Sequence, residues 1–390
     1  MTSALRPGDP HDEGRRRRGR RVLGAAVAAV GMAMALQMGM NANFLANDLG
    51  LSGSQVGLLE AFRESCGIWA LGVLALLAGF AEPLVGAAML VLFAVGLGGY
   101  ALVPDFFWVV VMSLVWSQGL HVWMPLPASM AMSLAEPGRI GLRLGQVQAA
   151  GAGGYFGGLV VAYVLTRLGV AIRPLYFLAA AAGLAAAGLC LVLPRDLRTR
   201  GPRLVFRRRY RLYYLLCLLD GWRKQIAVCF ASYMLVQRHG TPLTTILVLH
   251  GIVQILVTLG SPAVGRLVDR VGERRVLVGY FSCLTCLFVG YAVVDTAWIL
   301  YVIFVVDSAF FVFSLALNTY VNRLAPAAER TPTLSMGVAM NHIAAVAMPL
   351  VGGALWVTFG PPWTFAAGAL AAALSIAAAW RLPARSAATA

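Results

Sequence analysis

The sequence predicts an all-α polytopic membrane protein, with twelve transmembrane helices in two six-helix bundles and both termini in the cytoplasm. Sixty per cent of its 390 residues are apolar, only 12% are charged, and the mean hydropathy is +0.78. A soluble domain of this length needs no such apolar fraction. A bilayer core of about 30 Å takes about 20 helical residues, and charged or Gly/Pro turns divide the chain into twelve segments of that length.

The predicted spans are separated by short turns, with one longer interior loop after the sixth. They are residues 22–44, 55–79, 84–103, 106–132, 142–166, 174–193, 212–235, 243–265, 275–294, 297–322, 333–358 and 362–381. This loop separates two bundles of six spans, and with the two terminal tails the chain has five parts. These are a disordered basic tail (1–21), the first bundle (22–193), an Arg-rich linker (194–211), the second bundle (212–382) and a short tail (383–390).

The placement of arginine supports this count, because cytoplasmic flanks of membrane helices carry an excess of positive charge. With the N-terminus in the cytoplasm, the outer loops hold only Arg167, Arg173 and Arg238, and the inner segments hold the arginine clusters. One missed span would destroy this alternation. The net charge of +15 is therefore topological, and we expect a multi-pass protein of the cytoplasmic membrane with no nucleic-acid partner.

Charged and polar residues inside the spans are the candidates for function. A charge at the centre of a membrane helix costs roughly 3 kcal/mol on insertion scales, so such residues usually face a partner or a water-filled path. The third and sixth spans of each half contain no interior acid, base or histidine, and we expect them to face lipid. The other spans carry Glu60, Arg63, Glu64, His121, Asp220, Arg223, Lys224, His250, Asp307, Asn341 and His342.

The seventh predicted span carries three charges, among them Lys224, the only lysine of the chain. Asp220 precedes Arg223 by three residues and Lys224 by four, so it can pair with either base along a helix surface. A structural ion pair is one interpretation. The functional hypothesis is that Asp220 or Asp307 exchanges a proton, while Arg223 and Lys224 hold an anionic or polar group of a substrate.

The second span carries Glu60, Arg63 and Glu64 on one helix face. Two acids around one arginine leave a spare negative charge, which favours a retained proton or a cation ligand; the alternative is a latch from the outer part of this span to the eleventh. The three membrane histidines and the methionines of the first span are compatible with soft-metal transport. Ordinary packing explains the methionines better, and we expect no resident metal and no cofactor.

The loop after the eighth span reads GRLVDRVGERR from Gly265 to Arg275. It resembles the cytoplasmic G-x-x-x-D-R-x-G-x-R-R signature of the major facilitator superfamily. By this resemblance Asp269, Arg270, Arg274 and Arg275 form a charge cluster that locks the cytoplasmic gate, and Gly265 and Gly272 permit the tight turn. The corresponding loop after the second span, residues 79–83, lacks the Asp-Arg and the basic pair.

The resemblance implies a secondary active transporter that works by alternating access and functions as a monomer in the lipid bilayer. The chain has no phosphate-binding loop for a nucleotide, so we expect coupling to an ion gradient, with the membrane carboxylates favouring protons. The mixed charges favour a small polar solute, anionic or zwitterionic. The alternatives are an exporter of drugs or soft metal ions and, in another class, a polytopic membrane enzyme; short outer loops without candidate residues disfavour an enzyme.

Overall fold

The computed structural model describes residues 10–77, 79–136, 139–198 and 206–383, and over these residues the chain forms helices and no β-strand. A single isolated bridge joins Ala81 and Arg198. Every predicted span has a counterpart in one helix or in two helices that follow each other closely. The predicted all-α class is therefore confirmed.

The first six predicted spans correspond to seven helices, because Pro125 and Pro127 lie where the fourth span is divided. Proline lacks the backbone N–H that a continuous helix requires. The helices are α1 (Pro10–Asn43), α2 (Gly53–Leu76), α3 (Glu82–Tyr100), α4 (Phe106–Trp123), α5 (Leu126–Ser133), α6 (Ile140–Arg167) and α7 (Ile172–Leu191).

The last six predicted spans correspond to eight helices. A π-helical turn at Ala227–Ala231 interrupts the seventh span, and a 3₁₀ turn at Phe311–Ser314 interrupts the tenth. Such departures from α-helical geometry often lie near functional sites. The helices are α8 (Arg211–Ile226), α9 (Ser232–His239), α10 (Leu243–Val271), α11 (Glu273–Val293), α12 (Ala297–Phe310), α13 (Leu315–Leu324), α14 (Ala327–Phe359) and α15 (Pro361–Ala379).

Ten helical segments of the described chain are long and apolar enough to cross a membrane. The two predicted spans outside this group are α2 and the α8–α9 pair. Every 18-residue stretch of either contains at least three charged residues, so the same side chains that mark them as functional candidates lower their hydropathy. The count of twelve spans stays a prediction.

The N-terminal segment differs from the sequence prediction. Residues 10–21, which we predicted as part of a disordered tail, belong to α1. Three arginines hold this part of the helix: Arg15 forms an ion pair with Asp196 at 2.7 Å, and Arg16 and Arg20 donate to the carbonyls of Ala135 and Leu134. Residues 1–9 and 384–390 of the predicted tails, and 199–205 of the predicted linker, lie outside the described residues.

The chain divides into two compact units. The first comprises Met1–Gly39, Trp69–Val103 and Val111–Gly201. In it α3 packs along α7, and α6 approaches α1 closely: a Cβ on Gly154 would lie 1.9 Å from the carbonyl oxygen of Ala28. Glycine at this position is what allows the two backbones to touch.

The second unit comprises Met40–Ile68, Pro104–Val110 and Pro202–Ala390. Here α8 packs against α14 and α15, and α11 packs against α15. Five buried tyrosines, Tyr210, Tyr213, Tyr214, Tyr280 and Tyr320, contribute to a core cluster of this unit. The charged residues of α2 and α8 both lie in this unit, so their geometry is given by contacts within one compact body.

Candidate functional site

Arg223 is the centre of a buried ionic cluster in the second unit, which we call the Arg223 cluster (Asp220, Arg223, Tyr280 and Asp307). One terminal nitrogen of its guanidinium lies 3.1 Å from the Asp220 carboxylate, and the other lies 3.2 Å from Asp307. All three charged side chains are at most 4% exposed. Burial of this kind is tolerated because each charge has an opposite charge at hydrogen-bond distance.

Tyr280 of α11 completes the Arg223 cluster, and sequence reasoning missed it. Its hydroxyl accepts a hydrogen bond from Arg223 at 3.0 Å and donates one to Asp220 at 3.2 Å. The Arg223 guanidinium also lies 5.8 Å from the centroid of the tyrosine ring. Tyrosine in an apolar span gives no sequence signal, because it is amphipathic and common in helix cores.

Lys224 follows Arg223 in the chain but has a different environment. Its side chain is partly buried, and its Nζ lies 4.7 Å from the ring centroid of Phe311, in the 3₁₀ turn between α12 and α13. Within the described parts of the chain it forms no ion pair, although the charges of Glu64 and Asp220 act on it. Of the two bases that Asp220 was predicted to choose between, the partner is Arg223.

The predicted cluster on α2 is present and includes a histidine from α14; we call it the Arg63 cluster (Glu60, Arg63, Glu64 and His342). Arg63 lies 2.5 Å from Glu60 and 2.8 Å from Glu64. The second oxygen of Glu64 lies 3.5 Å from Nδ1 of His342. The side chains of Glu60 and Arg63 are buried and Glu64 is 14% exposed, so the cluster is largely shielded from bulk water.

In the two clusters and Lys224 together, negative charges outnumber positive charges. When all are ionised, four carboxylates face three cations and leave one negative charge uncompensated. The acids are Glu60, Glu64, Asp220 and Asp307; the bases are Arg63, Arg223 and Lys224. An uncompensated charge in a medium of low dielectric is unfavourable, so the arrangement favours one bound proton or one bound cation.

The remaining candidates of the sequence analysis lie in separate environments. Asn341 lies against Gly221 at the crossing of α14 and α8, where a Cβ on the glycine would approach its Cα to 3.0 Å. The ring of His250 on α10 packs edge-on against that of Phe304, with 5.4 Å between the ring centroids. In the first unit, Nδ1 of His121 lies 2.9 Å from the carbonyl oxygen of Ser117. On α14, Asn341 directly precedes His342, the member of the Arg63 cluster that this helix supplies.

The part of the chain before and within α2 packs tightly against α9 and α14 in the second unit. A Cβ on Gly57 would lie 2.2 Å from the carbonyl oxygen of Pro349, and one on Gly53 would lie 2.3 Å from the ring of Trp356. The hydroxyl of Tyr233 donates to the carbonyl of Leu51, and Asn43 donates to that of Thr241. This set of contacts, which we call the α2–α14 seal, leaves no room for a side chain at Gly57.

The signature loop forms the turn between α10 and α11. Gly272 has φ of +86°, which L-residues rarely adopt, so the predicted tight turn is present. A Cβ on Gly265 would meet no described atom within 4 Å, so close helix approach does not explain that glycine. Asp269, Arg270 and Arg275 are exposed, and the Arg274 guanidinium lies 4.7 Å from the ring centroid of Trp380.

A buried glutamate begins the helix after this turn, and sequence reasoning missed it as well. Glu273, 4% exposed, forms an ion pair with Arg323 of α13. The first unit repeats the arrangement about 190 residues earlier. There Glu82 begins α3 and is 1% exposed, and it accepts a hydrogen bond of 2.5 Å from Ser129 of α5. Both carboxylates lie at helix N-termini, where negative charge is favourable.

Long apolar helices that carry buried charges are typical of membrane transporters, and comparison with known proteins specifies the family. The family described as Major Facilitator Superfamily matches residues 23–330 and 214–390. The chain belongs to the major facilitator superfamily. It is a multi-pass membrane transporter rather than an enzyme. No curated protein matches the chain.

Solved structures of other transporters share the fold. The chain is similar to the nucleoside transporter NupG (TM-score 0.75, 15% identity, 93% of this chain and 97% of that chain) and to a D-xylose-proton symporter (0.73, 14%, 94% and 98%). It is also similar to a bacterial homolog of the human lysosomal transporter Spinster, in an inward-facing and unoccupied conformation (0.68, 12%, 96% and 95%). At these identities the likeness concerns the fold alone.

Proposed function

We propose that this protein is a proton-coupled secondary transporter that moves a small polar solute with an anionic group, anionic or zwitterionic overall, by alternating access. Lys224 is the residue that binds that group, and a carboxylate of the Arg223 cluster carries the coupling proton. We retain the predicted twelve spans, the division into two six-helix bundles, cytoplasmic termini and a monomer in the cytoplasmic membrane.

The observation that carries the proposal is the contrast between Arg223 and Lys224. Arg223 has two carboxylate partners and a tyrosine, and is 2% exposed. Lys224 is partly buried and, among the described residues, lies against an aromatic ring without an ion-pair partner. A cation in a membrane helix that has no ion-pair partner in the protein can bind an anionic group of a solute. We therefore assign substrate binding to Lys224 and a positioning role to Arg223.

The coupling proton follows from the charge imbalance of the two clusters. Asp220 and Asp307 share one guanidinium, as Glu60 and Glu64 share another. When a solute anion lies beside Lys224, it adds a second uncompensated negative charge, which a proton on one carboxylate offsets. Asp307 is the stronger candidate in the Arg223 cluster, because Asp220 has the additional hydrogen bond from Tyr280 that stabilises its ionised form.

The α2–α14 seal and the signature loop supply candidate gates at opposite ends of the bundle in the predicted topology. The seal closes the predicted outer side through Gly57 and Pro349, and Glu64 reaches His342 just below it. This supports the latch interpretation of the Arg63 cluster. By resemblance the loop with Asp269, Arg270, Arg274 and Arg275 acts on the cytoplasmic side. Alternating access requires that the two sides are never open at the same time.

The proposed class of solute agrees with the substrates named for two transporters of similar fold. One related fold is that of a nucleoside transporter and another that of a D-xylose-proton symporter. Both names refer to small polar solutes, and one names the proton. The presence of Lys224 is what leads us to an anionic group, since neither a nucleoside nor a pentose requires a counter-cation.

The proposal is tested by solute-induced proton movement in liposomes that contain the purified protein and a trapped pH-sensitive dye. Monocarboxylates, dicarboxylates, amino acids, nucleosides and pentoses are added outside in turn. We expect one anionic or zwitterionic class to acidify the lumen, and Asp307→Asn to abolish the signal. Asp295→Asn is the control, since the side chain of Asp295 is 70% exposed. Full proton movement in both Asp307→Asn and Asp220→Asn contradicts the coupling assignment.

A further inference from the structure

A cavity of about 470 Å³ lies in the second unit where α10 ends and α11 begins, beside the end of α15. Its apolar walls are Val271, Val278 and Gly279, and its other lining residues include Arg274, Arg275 and Trp380. A volume of this size is in the range of sites that hold small ligands or large ligand groups. It lies where α10 meets α11, and its described lining residues include none of the four members of the Arg223 cluster.

Arg274 and Arg275 give this cavity a positive charge. Within the part of the chain that the structure describes, neither Arg274 nor Arg275 forms an ion pair. Glu273, the acid that precedes them, is buried and pairs with Arg323 instead. Arg274 is partly buried with its guanidinium over the Trp380 ring, and Arg275 is exposed. A guanidinium group can bind a phosphate through paired hydrogen bonds, so the two arginines make this cavity a candidate site for a phosphate group.

The surroundings of the cavity are those of a membrane interface. Trp380 is 56% exposed, and tryptophan is enriched at the level of the lipid headgroups. Gly279, one turn below Arg275, is exposed and a Cβ there would meet no described atom within 4 Å. An acyl chain therefore has open space along α11 directly beneath the two arginines. In the predicted topology this end faces the cytoplasmic leaflet, where anionic lipids attract basic side chains.

We propose that this cavity binds the headgroup of an anionic phospholipid, with Arg274 and Arg275 on the phosphate and Trp380 against the glycerol region. The site is independent of solute binding at Lys224. A zwitterionic lipid would bring a cationic choline group to the same two arginines and is disfavoured by charge. A free phosphate ion would gain the guanidinium contacts but not the apolar surface of Val278 and Gly279.

The test is the thermal unfolding midpoint of the full-length protein in mixed micelles, with increasing phosphatidylglycerol, phosphatidylcholine or inorganic phosphate. A ligand that binds the folded state raises the midpoint. We expect phosphatidylglycerol to raise it and Arg274→Gln/Arg275→Gln to increase the half-saturating lipid fraction roughly tenfold or more, as loss of charge-assisted hydrogen bonds implies. The matched control is Arg207→Gln/Arg208→Gln, which removes two exposed arginines elsewhere in the same unit.

A second variant tests the cavity without removing charge. Gly279→Trp fills the open space beside Val278, and we expect it to weaken the phosphatidylglycerol effect while both arginines remain. Gly279→Trp also tests the lipid site if Arg274→Gln/Arg275→Gln does not fold. The proposal is overturned if phosphatidylcholine or inorganic phosphate gives an equal shift, if both double arginine variants lose it equally, or if Gly279→Trp leaves it unchanged.

Discussion

The guanidinium of Arg223 lies 3.2 Å from the carboxylate of Asp307, although 84 residues separate the two in the chain. The same guanidinium binds Asp220 one turn earlier on α8 and Tyr280 on α11. A single side chain thus connects three helices of the second unit in a buried environment. Its removal would leave two carboxylates without a counter-charge, which makes Arg223 a structural requirement of the site rather than a free ligand for solute.

Replacement of Arg223 is therefore expected to destabilise the fold strongly. Arg223→Gln leaves Asp220 and Asp307 buried without their partner, and loss of one member of a buried ion pair costs about 3–5 kcal/mol. Arg223→Gln/Asp307→Asn should recover part of this loss. The control is Arg238→Gln, which breaks an exposed pair with Asp295 and should cost about 1 kcal/mol or less. The free energy of unfolding in detergent is measured for the three variants and the parent protein. An equal loss of stability in Arg223→Gln and Arg238→Gln would contradict the structural role of Arg223.

A side chain at Gly57 is expected to open the α2–α14 seal. Its Cβ would fall 2.2 Å from the carbonyl oxygen of Pro349, which is backbone and cannot rotate away. Cys229 lies beside the seal, with its sulfur 4.0 Å from the carbonyl of Val56. In protein that keeps Cys229 and has serine at the other five cysteines, Gly57→Leu should increase maleimide labelling of Cys229.

The control for the seal is Gly72→Leu on the same helix, since a Cβ on Gly72 meets no described atom within 4 Å. It should leave labelling of Cys229 at the level of the parent protein. Unchanged labelling in Gly57→Leu, with the variant eluting as a folded monodisperse protein, would show that the seal does not shield this region.

Two glycines of the signature loop should differ in their tolerance of alanine. Gly272 has φ of +86° and ψ of 153°, a backbone conformation that essentially only glycine adopts and that costs another residue about 1–3 kcal/mol, so Gly272→Ala should lower the free energy of unfolding by about that amount. Gly265 lies within α10, and Gly265→Ala should be neutral or stabilising by roughly 0.5–1 kcal/mol, because alanine is the better helix former. Equal effects of the two substitutions are inconsistent with the turn geometry.

The Glu136 carboxylate in the loop before α6 gives a pH-dependent prediction. Hydrogen bonds from Arg143 at 2.8 and 2.7 Å, a backbone hydrogen bond and the charge of Arg20 lower the pKa of Glu136 from 4.5 to about 2. A lowered pKa in the folded state stabilises the fold above the unfolded pKa, and this contribution is lost as the pH falls through the folded pKa.

The unfolding midpoint of Glu136→Gln should therefore lie below that of the parent protein at neutral pH. The difference should persist down to about pH 4.5 and shrink as the pH falls toward 2. Arg143→Gln should show the same trend, because it removes the partner that lowers this pKa. A difference between parent and Glu136→Gln that is constant over this pH range contradicts the role of the ionised carboxylate.

Local patterns along the chain predicted local structure well. Hydropathy and charged turns gave every predicted span a helical counterpart, and the three-residue spacing of Glu60 with Arg63 and of Asp220 with Arg223 anticipated two ion pairs that are present. The second-half signature loop with Gly272 was sufficient to indicate the family. These features depend only on helical periodicity and on residues close together in sequence.

Contacts between distant helices could not be predicted in the same way. Helix packing decides that Arg223 pairs with Asp307 and that Asp220 bonds to Tyr280. It likewise decides that Glu273 pairs with Arg323. Arg223 and Lys224 are adjacent in sequence, and only the structure shows that Arg223 has two ion-pair partners while Lys224 has none among the described residues. The helical start at Pro10 depends on contacts of arginines with the rest of the first unit.

The measurement that tests the central claim most directly is a thermal-shift screen of purified protein and its Lys224→Gln variant. The panel contains monocarboxylates, dicarboxylates, amino acids, nucleosides, sugars, lipophilic drugs and soft metal ions. Binding to the folded state raises the unfolding midpoint. We expect one anionic or zwitterionic class to stabilise the parent protein and to lose its effect in Lys224→Gln. Stabilisation by an uncharged solute, drug or metal ion that survives Lys224→Gln would contradict substrate binding at Lys224.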